Sequence, residues 1–202
     1  MPKYFNMKIS IDSIHQHNEK AISNHKRKFE FVKSEIENVE GIIQKLIDFN
    51  VAIPSWALGT GGTRFGRFSG GGEPGTLEQK IDDVGLLHAL NKSSGAISLH
   101  IPWDIPKDYN AIKQHAKALG LSFDAVNSNT FQDQQGQKLS YKFGSLQHVD
   151  KNVRKQAIDH NIEVVKHGME LGSKALTVWL SDGRSEEHTS ELQSRVDISY
   201  AV

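Results

Sequence analysis

The sequence predicts an α/β fold, in which parallel β-strands alternate with α-helices, preceded by a helical segment over residues 1–50. Beyond residue 50, short apolar runs typical of buried strands alternate with longer segments whose apolar residues recur at helical spacing. The order strand, helix, strand places successive strands parallel through right-handed crossovers. Because parallel sheets are covered on both faces, the fold is either a doubly wound sheet or part of an eight-unit barrel.

The helical segment is predicted from apolar residues that recur at spacings of four and three, which place them on one side of a helix. These residues are Val32, Ile36, Val39, Ile43 and Leu46. We expect this apolar stripe to pack against another part of the molecule.

Four strands and three intervening helices are predicted beyond residue 50. The strands cover residues 51–58, 96–101, 121–126 and 174–180, and the helices cover about residues 76–90, 107–119 and 152–171. In the last helix, we expect one apolar face made of Ile158, Ile162, Val165 and Met169.

The positions of polar and aromatic residues favour the barrel. Several of them fall at or just after the carboxyl ends of successive strands, where a barrel builds its active site from several loops, whereas a doubly wound sheet concentrates its site at one switch point. These residues are His100, Trp103, Asn127, Asn129 and Trp179. We therefore predict that residues 51–183 are the first four strand-helix units of a TIM (β/α)8 barrel, its N-terminal half.

The composition of the 202 residues is balanced in charge, with 24 Lys and Arg against 24 Asp and Glu. A chain without net charge has no electrostatic footprint for nucleic acid or an anionic membrane surface, and it contains no apolar run that could span a bilayer. The start lacks a signal peptide, so we expect a cytoplasmic protein. The absence of cysteine excludes disulfides and thiolate ligands.

Residues 184–202 differ in character from the rest of the chain. Residues 184–194 resemble, residue for residue, the translation of a common sequencing-library adapter, and residues 198–202 resemble the continuation of that adapter after a short index. We expect the genuine protein to stop at or near Gly183 and the tail to be artefactual. The alternative is a polar helical tail that offers Glu186, Glu187 and His188 to a metal.

A glycine-rich loop over residues 59–68 could bring backbone N–H groups close to a phosphate. It lacks both the P-loop spacing and a dinucleotide-binding fingerprint followed at once by a helix. A flexible substrate loop that presents Phe65 is the better interpretation, with Arg64 and Arg67 as solvated or intersubunit charges.

The segment from Ser98 to Asp104 is the most informative part of the chain. His100 supplies a group that titrates near neutral pH, and Trp103 supplies a flat apolar wall for the C–H face of a sugar. The alternative for His100 is a core histidine. The remaining histidines considered, which lie in helical or loop segments, are expected at the surface: His88, His115, His148, His160 and His167.

The polar residues around the third strand leave two interpretations open. The short side chains of Asp124, Asn127, Ser128 and Asn129 can bind sugar hydroxyls or can hold the loop together. Trp56 and Trp179 end the first and fourth strands. They suit either core packing or a carbohydrate pocket.

Five segments closely resemble the L-rhamnose isomerases of the broad-specificity bacterial type. The resemblance runs in order from about residue 50 to Gly183. The segments are Ala52-Ile53-Pro54-Ser55-Trp56, Gly59-Thr60-Gly61-Gly62-Thr63-Arg64-Phe65, Leu99-His100-Ile101-Pro102-Trp103-Asp104, Asn127-Ser128-Asn129-Thr130-Phe131 and Lys174-Ala175-Leu176-Thr177-Val178-Trp179.

This resemblance implies an xylose isomerase-like barrel that interconverts L-rhamnose and L-rhamnulose, with two divalent ions, typically manganese, and a tetrameric assembly. It also implies that His100 assists ring opening or holds a far hydroxyl of the sugar. Trp103 and Trp179 would wall the sugar pocket, and Phe65 would reach into the site of a neighbouring subunit. Trp56 and Asn127 are also predicted to bind substrate, from their positions near strand ends.

The chain also departs from this family in its metal ligands. In this family the metal ligands lie on later strands, so none can be assigned within residues 1–183, and we expect the chain as written to bind no metal and to be inactive. Two alternatives stay open: a related xylose isomerase-like sugar isomerase or epimerase, and a non-enzymatic carbohydrate-binding module.

Overall fold

A computed structural model describes residues 10–59, 62–63, 66–67, 71–134 and 136–180. The helices are α1 (Ile11–Glu35), α2 (Val39–Asp48), α3 (Leu77–Asn91), α4 (Tyr109–Ala118) and α5 (Lys151–Leu171), with a 3-10 helix at Ser55–Ala57. The strands are β1 (Ala52–Pro54), β2 (Gly62–Thr63), β3 (Gly66–Arg67), β4 (Ala96–Ser98), β5 (His100–Ile101), β6 (Ser122–Phe123), β7 (Val126–Thr130) and β8 (Leu176–Leu180).

The main strands form two parallel sheets, with the orders β1-β4-β6 and β5-β7-β8. Leu99 alone separates β4 from β5, and backbone hydrogen bonds continue across the gap, from Asp124 N to Ile97 O at 3.0 Å and from Asn127 N to Leu99 O at 2.8 Å. Four chain segments therefore lie side by side in chain order, each parallel to the next. The predicted parallel α/β fold is confirmed.

The core lies between the strands and the helices α3, α4 and α5. Ile97, Leu99 and Ile101 are fully buried there, together with Val126 of β7. Helix α5 approaches the sheet closely because it carries Gly168, where an added Cβ would lie 2.9 Å from Val126 Cγ2. This packing covers one face of the strands with apolar side chains.

Side chains at the helix starts supply hydrogen-bond acceptors that the first turns need. The Thr76 side chain caps α3 by accepting from the backbone N–H of Gln79, Asp108 caps α4, and the Asp150 side chain caps α5 by accepting from the backbone N–H of Asn152. These caps fix where each helix leaves its preceding loop, and so they fix the helix positions above the sheet.

Two strand boundaries differ from the sequence prediction. The first strand ends at Pro54, and the chain turns into the 3-10 helix that carries Trp56. The third strand extends to Thr130, so Asn127 and Asn129 lie within β7 and not beyond its end. An apolar run marks a buried strand, but β7 is buried through polar residues, and no hydrophobic pattern shows its length.

Within residues 10–50, helices α1 and α2 agree with the predicted helical segment, but its apolar residues do not form one continuous stripe. The chain breaks between α1 and α2, with Asn38 in a left-handed conformation at φ 55°. The break divides the stripe between two helices: Val39 is buried, whereas Val32, Ile36 and Leu46 are exposed. None of the helices within the described residues is sufficiently long and apolar to cross a membrane.

The apolar face predicted for the last helix is exposed and is not the side of α5 that packs against the sheet. Ile158, Ile162, Val165 and Met169 are exposed, and the face of α5 that packs inward is displaced by about one position. The buried residues are Val153, Ala157, Val164, Gly168 and Leu171. Small residues at 157 and 168 let the helix approach the sheet, a preference that spacing alone does not reveal.

Candidate active site

The candidate site lies on the face of the strands that points away from the core. Successive side chains of a strand point to opposite faces, so Ser98 and His100 alternate with the core residues of the same segment. Register pairs His100 with Asn127 and Asn129 with Trp179. Paired residues of parallel strands share a face, so this face presents polar and aromatic side chains at neighbouring positions.

His100 is the centre of an aromatic cluster formed by Trp56, His100, Trp103, Phe131 and Trp179. Its ring centroid lies 4.6 Å from that of Trp103 and 5.3 Å from that of Trp56, both in edge contact. On its other sides, Phe131 stacks at 6.2 Å with 15° between planes, and Trp179 lies at 6.5 Å. Three segments that are distant in sequence to one another thus converge on one imidazole.

The three indoles of the cluster are partly open to solvent, while the imidazole is not. Trp56 is 40% exposed, Trp103 38% and Trp179 41%, whereas His100 is 8% exposed. Indole faces of this kind offer apolar area to the C–H face of a sugar ring, and a nearby imidazole can accept or donate a proton near neutral pH. The arrangement suits carbohydrate binding with a proton-transfer group at its base.

Asn127 holds an indole of the cluster in place. Trp179 Nε1 donates to Asn127 Oδ1 at 3.1 Å, and Asn127 Nδ2 donates to Leu99 O at 3.1 Å. The amide therefore orients Trp179 relative to the strand that carries His100. Asn129 Nδ2 donates to Gln132 O at 2.9 Å, which agrees with the interpretation that these amides hold the loop after β7 together. Contact of either amide with a sugar hydroxyl stays a prediction.

A buried carboxylate, Asp104, is hydrogen-bonded to the segments that carry Trp56 and His100. Asp104 accepts a hydrogen bond from Ser55 Oγ, from Lys80 Nζ at 2.7 Å and from the His100 backbone N–H at 2.8 Å. The turn that brings it there is closed by hydrogen bonds from Trp103 N and Asp104 N to His100 O, both 3.0 Å. The carboxylate is thus paired with a cation and bound to two residues next to the indoles.

Sequence reasoning did not identify Ser55, Lys80 or Asp104 as functional, and it did not place Phe131 in the site. Lys80 lies on a helix 24 residues before Asp104, so no local pattern links them. Phe131 directly follows β7 and ends one of the five segments that resemble the L-rhamnose isomerases. That position was the sequence feature that could have indicated its place in the site.

His160 is not a surface residue, contrary to the prediction. Its side chain is 16% exposed, and its Nε2 accepts a hydrogen bond from Asn129 N at 3.0 Å. Burial lowers the pKa of His160, partly opposed by Glu163. Because Nε2 accepts this hydrogen bond, the ring is neutral and carries its proton on Nδ1. The same bond connects α5 to β7.

The other histidines expected at the surface are also partly buried. Nδ1 of His167 pairs with the Tyr109 hydroxyl, and His115 pairs with Asp82 at 2.8 Å. Burial lowers the pKa of His88, and Lys92 lowers it further. His148 is likewise intermediate in exposure. His88, His115 and His167 lie on α3, α4 and α5, and His148 lies in the loop before α5, so none of the four is on a segment that carries the aromatic cluster.

Several predicted residues lie outside the described residues. They include Phe65 of the glycine-rich loop, whose described part is the antiparallel pair of β2 and β3, and the whole of residues 184–202. The interpretation of that loop and of the tail therefore stays as the sequence left it.

The described residues do not fit a paired metal centre. No group of three or more His, Asp or Glu side chains lies close enough together to hold a metal ion in the part of the chain that the structure describes. Asp104, the carboxylate nearest the cluster, is already neutralised by Lys80. Divalent ions such as Mn²⁺ require several oxygen or nitrogen ligands, and this set offers too few.

Comparison with known proteins found no matching family model. The chain is 53% identical over 146 residues to a "Probable sugar isomerase" of Rhizobium meliloti (strain 1021) and 54% identical over 145 residues to another of Mesorhizobium japonicum. Each alignment includes 72% of this chain and 34% of the relative. The chain therefore spans about a third of the length of two curated proteins described as sugar isomerases, and it is similar to that part of them.

Proposed function

We propose that the chain is the N-terminal part of a sugar isomerase that interconverts L-rhamnose and L-rhamnulose, and that it supplies the wall on which the sugar binds. The observation that carries this proposal is the aromatic cluster around His100 on the polar face of the parallel strands. The names of the two relatives support isomerisation of a sugar, and the motif resemblance supports L-rhamnose as the substrate.

The strand order supports a barrel. A doubly wound sheet reverses its strand order at a switch point, whereas a barrel adds each new strand beside the last. The four described segments follow the second pattern, from β1 through β4–β5 and β6–β7 to β8. We propose that residues 51–183 form four units of an eight-unit barrel, with residues 1–50 as a helical segment before it.

The residues of the site have distinct proposed roles. His100 moves a proton at the sugar ring oxygen or holds a distant hydroxyl, because it is the titratable group within the cluster. Trp56, Trp103 and Trp179 pack against the C–H face of the sugar and exclude water. In the whole protein, Phe65 would reach the site of a neighbouring subunit in a cytoplasmic homotetramer.

Metal ions, manganese in the proposed family, would polarise the oxygens of the sugar during the shift of hydrogen between C1 and C2. The described residues do not provide the ligands for these ions. In the proposed function, the metal ligands therefore lie in other parts of the whole protein. The chain as written is then proposed to bind sugar weakly and to be inactive.

The activity is tested by reading the coding sequence past the codon for Gly183 and assaying the full-length product on L-rhamnose and D-xylose. We expect further strand-helix units that carry Glu, Asp and His. We also expect a higher kcat/KM on L-rhamnose than on D-xylose. A preference for D-xylose would favour the related xylose isomerase-like enzyme instead.

The 202-residue chain gives a second test. Calorimetric titration with L-rhamnose should show weak binding that is the same in chelator and in Mn²⁺, and no L-rhamnulose should form. Turnover with Mn²⁺ would contradict the proposed inactivity, and tight binding in chelator would support a carbohydrate-binding module.

A further inference from the structure

Asp104 connects the 3-10 helix and β5, which carry two rings of the aromatic cluster, to α3. Its carboxylate binds Ser55 on the 3-10 helix, Lys80 on α3 and the backbone N–H of His100 on β5. Ser55 directly precedes Trp56. The Asp104 carboxylate therefore hydrogen-bonds both to the neighbour of Trp56 and to the backbone N–H of His100.

The burial of this carboxylate needs an explanation. The side chain of Asp104 is 2% exposed and that of Lys80 is 15% exposed. Buried charges are costly, and a buried ion pair is often no more stabilising than apolar residues of the same size. Stability alone is therefore a weak reason to bury this ion pair.

Geometry supplies a better reason. Hydrogen bonds to a charged acceptor are short and directional, and three donors fix the carboxylate on three sides. Through its bond to Ser55 it fixes the turn that carries Trp56, and through its bond to His100 N it fixes the backbone of the imidazole. The ring centroids of Trp56 and His100 then remain 5.3 Å apart at 65°.

We infer that Asp104 is a positioning residue: together with Lys80 and Ser55, it sets the geometry between the Trp56 indole and the His100 imidazole into which the sugar binds. This role rests on the proposed function, because it specifies what holds that sugar site in shape. The carboxylate itself acts through its neighbours and is not a catalytic residue.

The test compares four variants of the 202-residue chain. Asp104→Asn keeps the shape and removes the charge, and Asp104→Asn with Lys80→Gln also removes the buried cation that would be left unpaired. Ser55→Ala removes one donor only. Asp82→Asn is the matched control, because Asp82 is an exposed carboxylate on α3 that pairs with His115. Two quantities are measured: nuclear Overhauser effects between the Trp56 and His100 rings, and the affinity for L-rhamnose.

We expect both Asp104 variants to lose most of the Trp56–His100 ring contacts and to bind L-rhamnose about tenfold more weakly, the scale on which supporting residues act. Ser55→Ala should show a smaller loss in the same direction, and Asp82→Asn none. A folded double variant with unchanged ring contacts would overturn the inference, since a purely stabilising pair would lower the melting temperature alone.

Two further outcomes are informative. If Asp104→Asn does not fold, the double variant and Ser55→Ala provide the same readouts, and unchanged ring contacts in both would overturn the inference. If the unmodified chain binds no L-rhamnose, the proposed function fails, while the ring contacts still decide whether Asp104 positions them.

Discussion

The two faces of the parallel strands are built from the same segments but do different work. On one face, Ile97, Leu99 and Ile101 pack under helices and are fully buried. On the other, His100 and Trp179 belong to the aromatic cluster, and the indole is 41% exposed. Alternation along a strand thus separates residues that hold the fold together from those that can meet a ligand. Substitutions on the two faces test that separation, from the largest expected effect to the smallest.

The largest effect is expected on the helix-covered face. Leu99→Ala removes a fully buried side chain from the main core and should destabilise the chain by about 2–5 kcal/mol. Chemical denaturation measures this as a lower midpoint. Ser98→Ala, on the opposite face of the same segment, is the control and should cost much less. Equal losses for the two variants would contradict the assignment of faces.

The second prediction concerns the contact between α5 and β7. Gly168→Val places a branched side chain where a Cβ alone would lie 2.9 Å from Val126 Cγ2, and overpacking of this kind costs about 1–3 kcal/mol. Met169→Val, at the exposed neighbouring position, should change the free energy of unfolding by less than about 0.5 kcal/mol. Similar values for both variants would show that α5 is not held against the sheet at Gly168.

The third prediction concerns the open face. Trp179→Phe removes the N–H that donates to Asn127 Oδ1 and leaves that oxygen without its indole donor, at a cost of about 1 kcal/mol. The Trp179→Phe variant should bind L-rhamnose several-fold more weakly. The Leu99→Ala variant, measured under conditions where it remains folded, should bind L-rhamnose as well as the unmodified chain does. A loss of affinity in Leu99→Ala but not in Trp179→Phe would contradict the assignment of sugar binding to the open face.

The smallest effect is a pH dependence of stability. Burial lowers the pKa of His160 below its ordinary value of 6.5, so the unfolded chain binds the proton more readily. The stability that the neutral ring contributes is present above pH 6.5 and is lost as the pH falls below it. Glu163 and His167 are the titratable groups that face this ring.

His160→Gln keeps an acceptor for Asn129 N–H and should weaken this loss of stability between pH 6.5 and 5. Some slope should remain, because burial also lowers the pKa of His88. Melting temperatures recorded across that range measure the effect. An unchanged slope in the variant would show that the histidine does not titrate with folding.

The sequence predicted the strand-helix order and four of the five members of the aromatic cluster, Trp56, His100, Trp103 and Trp179, because hydrophobic runs mark buried parallel strands and strand ends carry the chemistry of such folds. It could not choose the buried face of α5, because the stripe with Ile158 and Ile162 has the same helical spacing as the buried set with Ala157 and Val164. Backbone proximity, which Gly168 permits, decided the choice.

The network around Asp104 was beyond sequence reasoning for a different reason. Its members lie at positions 55, 80 and 104 on three elements, so only the folded chain brings them together. The same holds for the bond between His160 and Asn129 N, which joins a helix to a strand 31 residues away. Patterns of spacing report one element at a time and do not report such contacts.

The most direct test of the account uses the three tryptophans, because Trp56, Trp103 and Trp179 all belong to the aromatic cluster and are the only ones in the chain. An NMR titration with L-rhamnose follows their indole N–H signals. We expect all three signals to shift with one common dissociation constant. Indole signals that stay in place at saturating sugar, in a chain whose other spectra show that it is folded, would contradict the claim that this face binds a sugar.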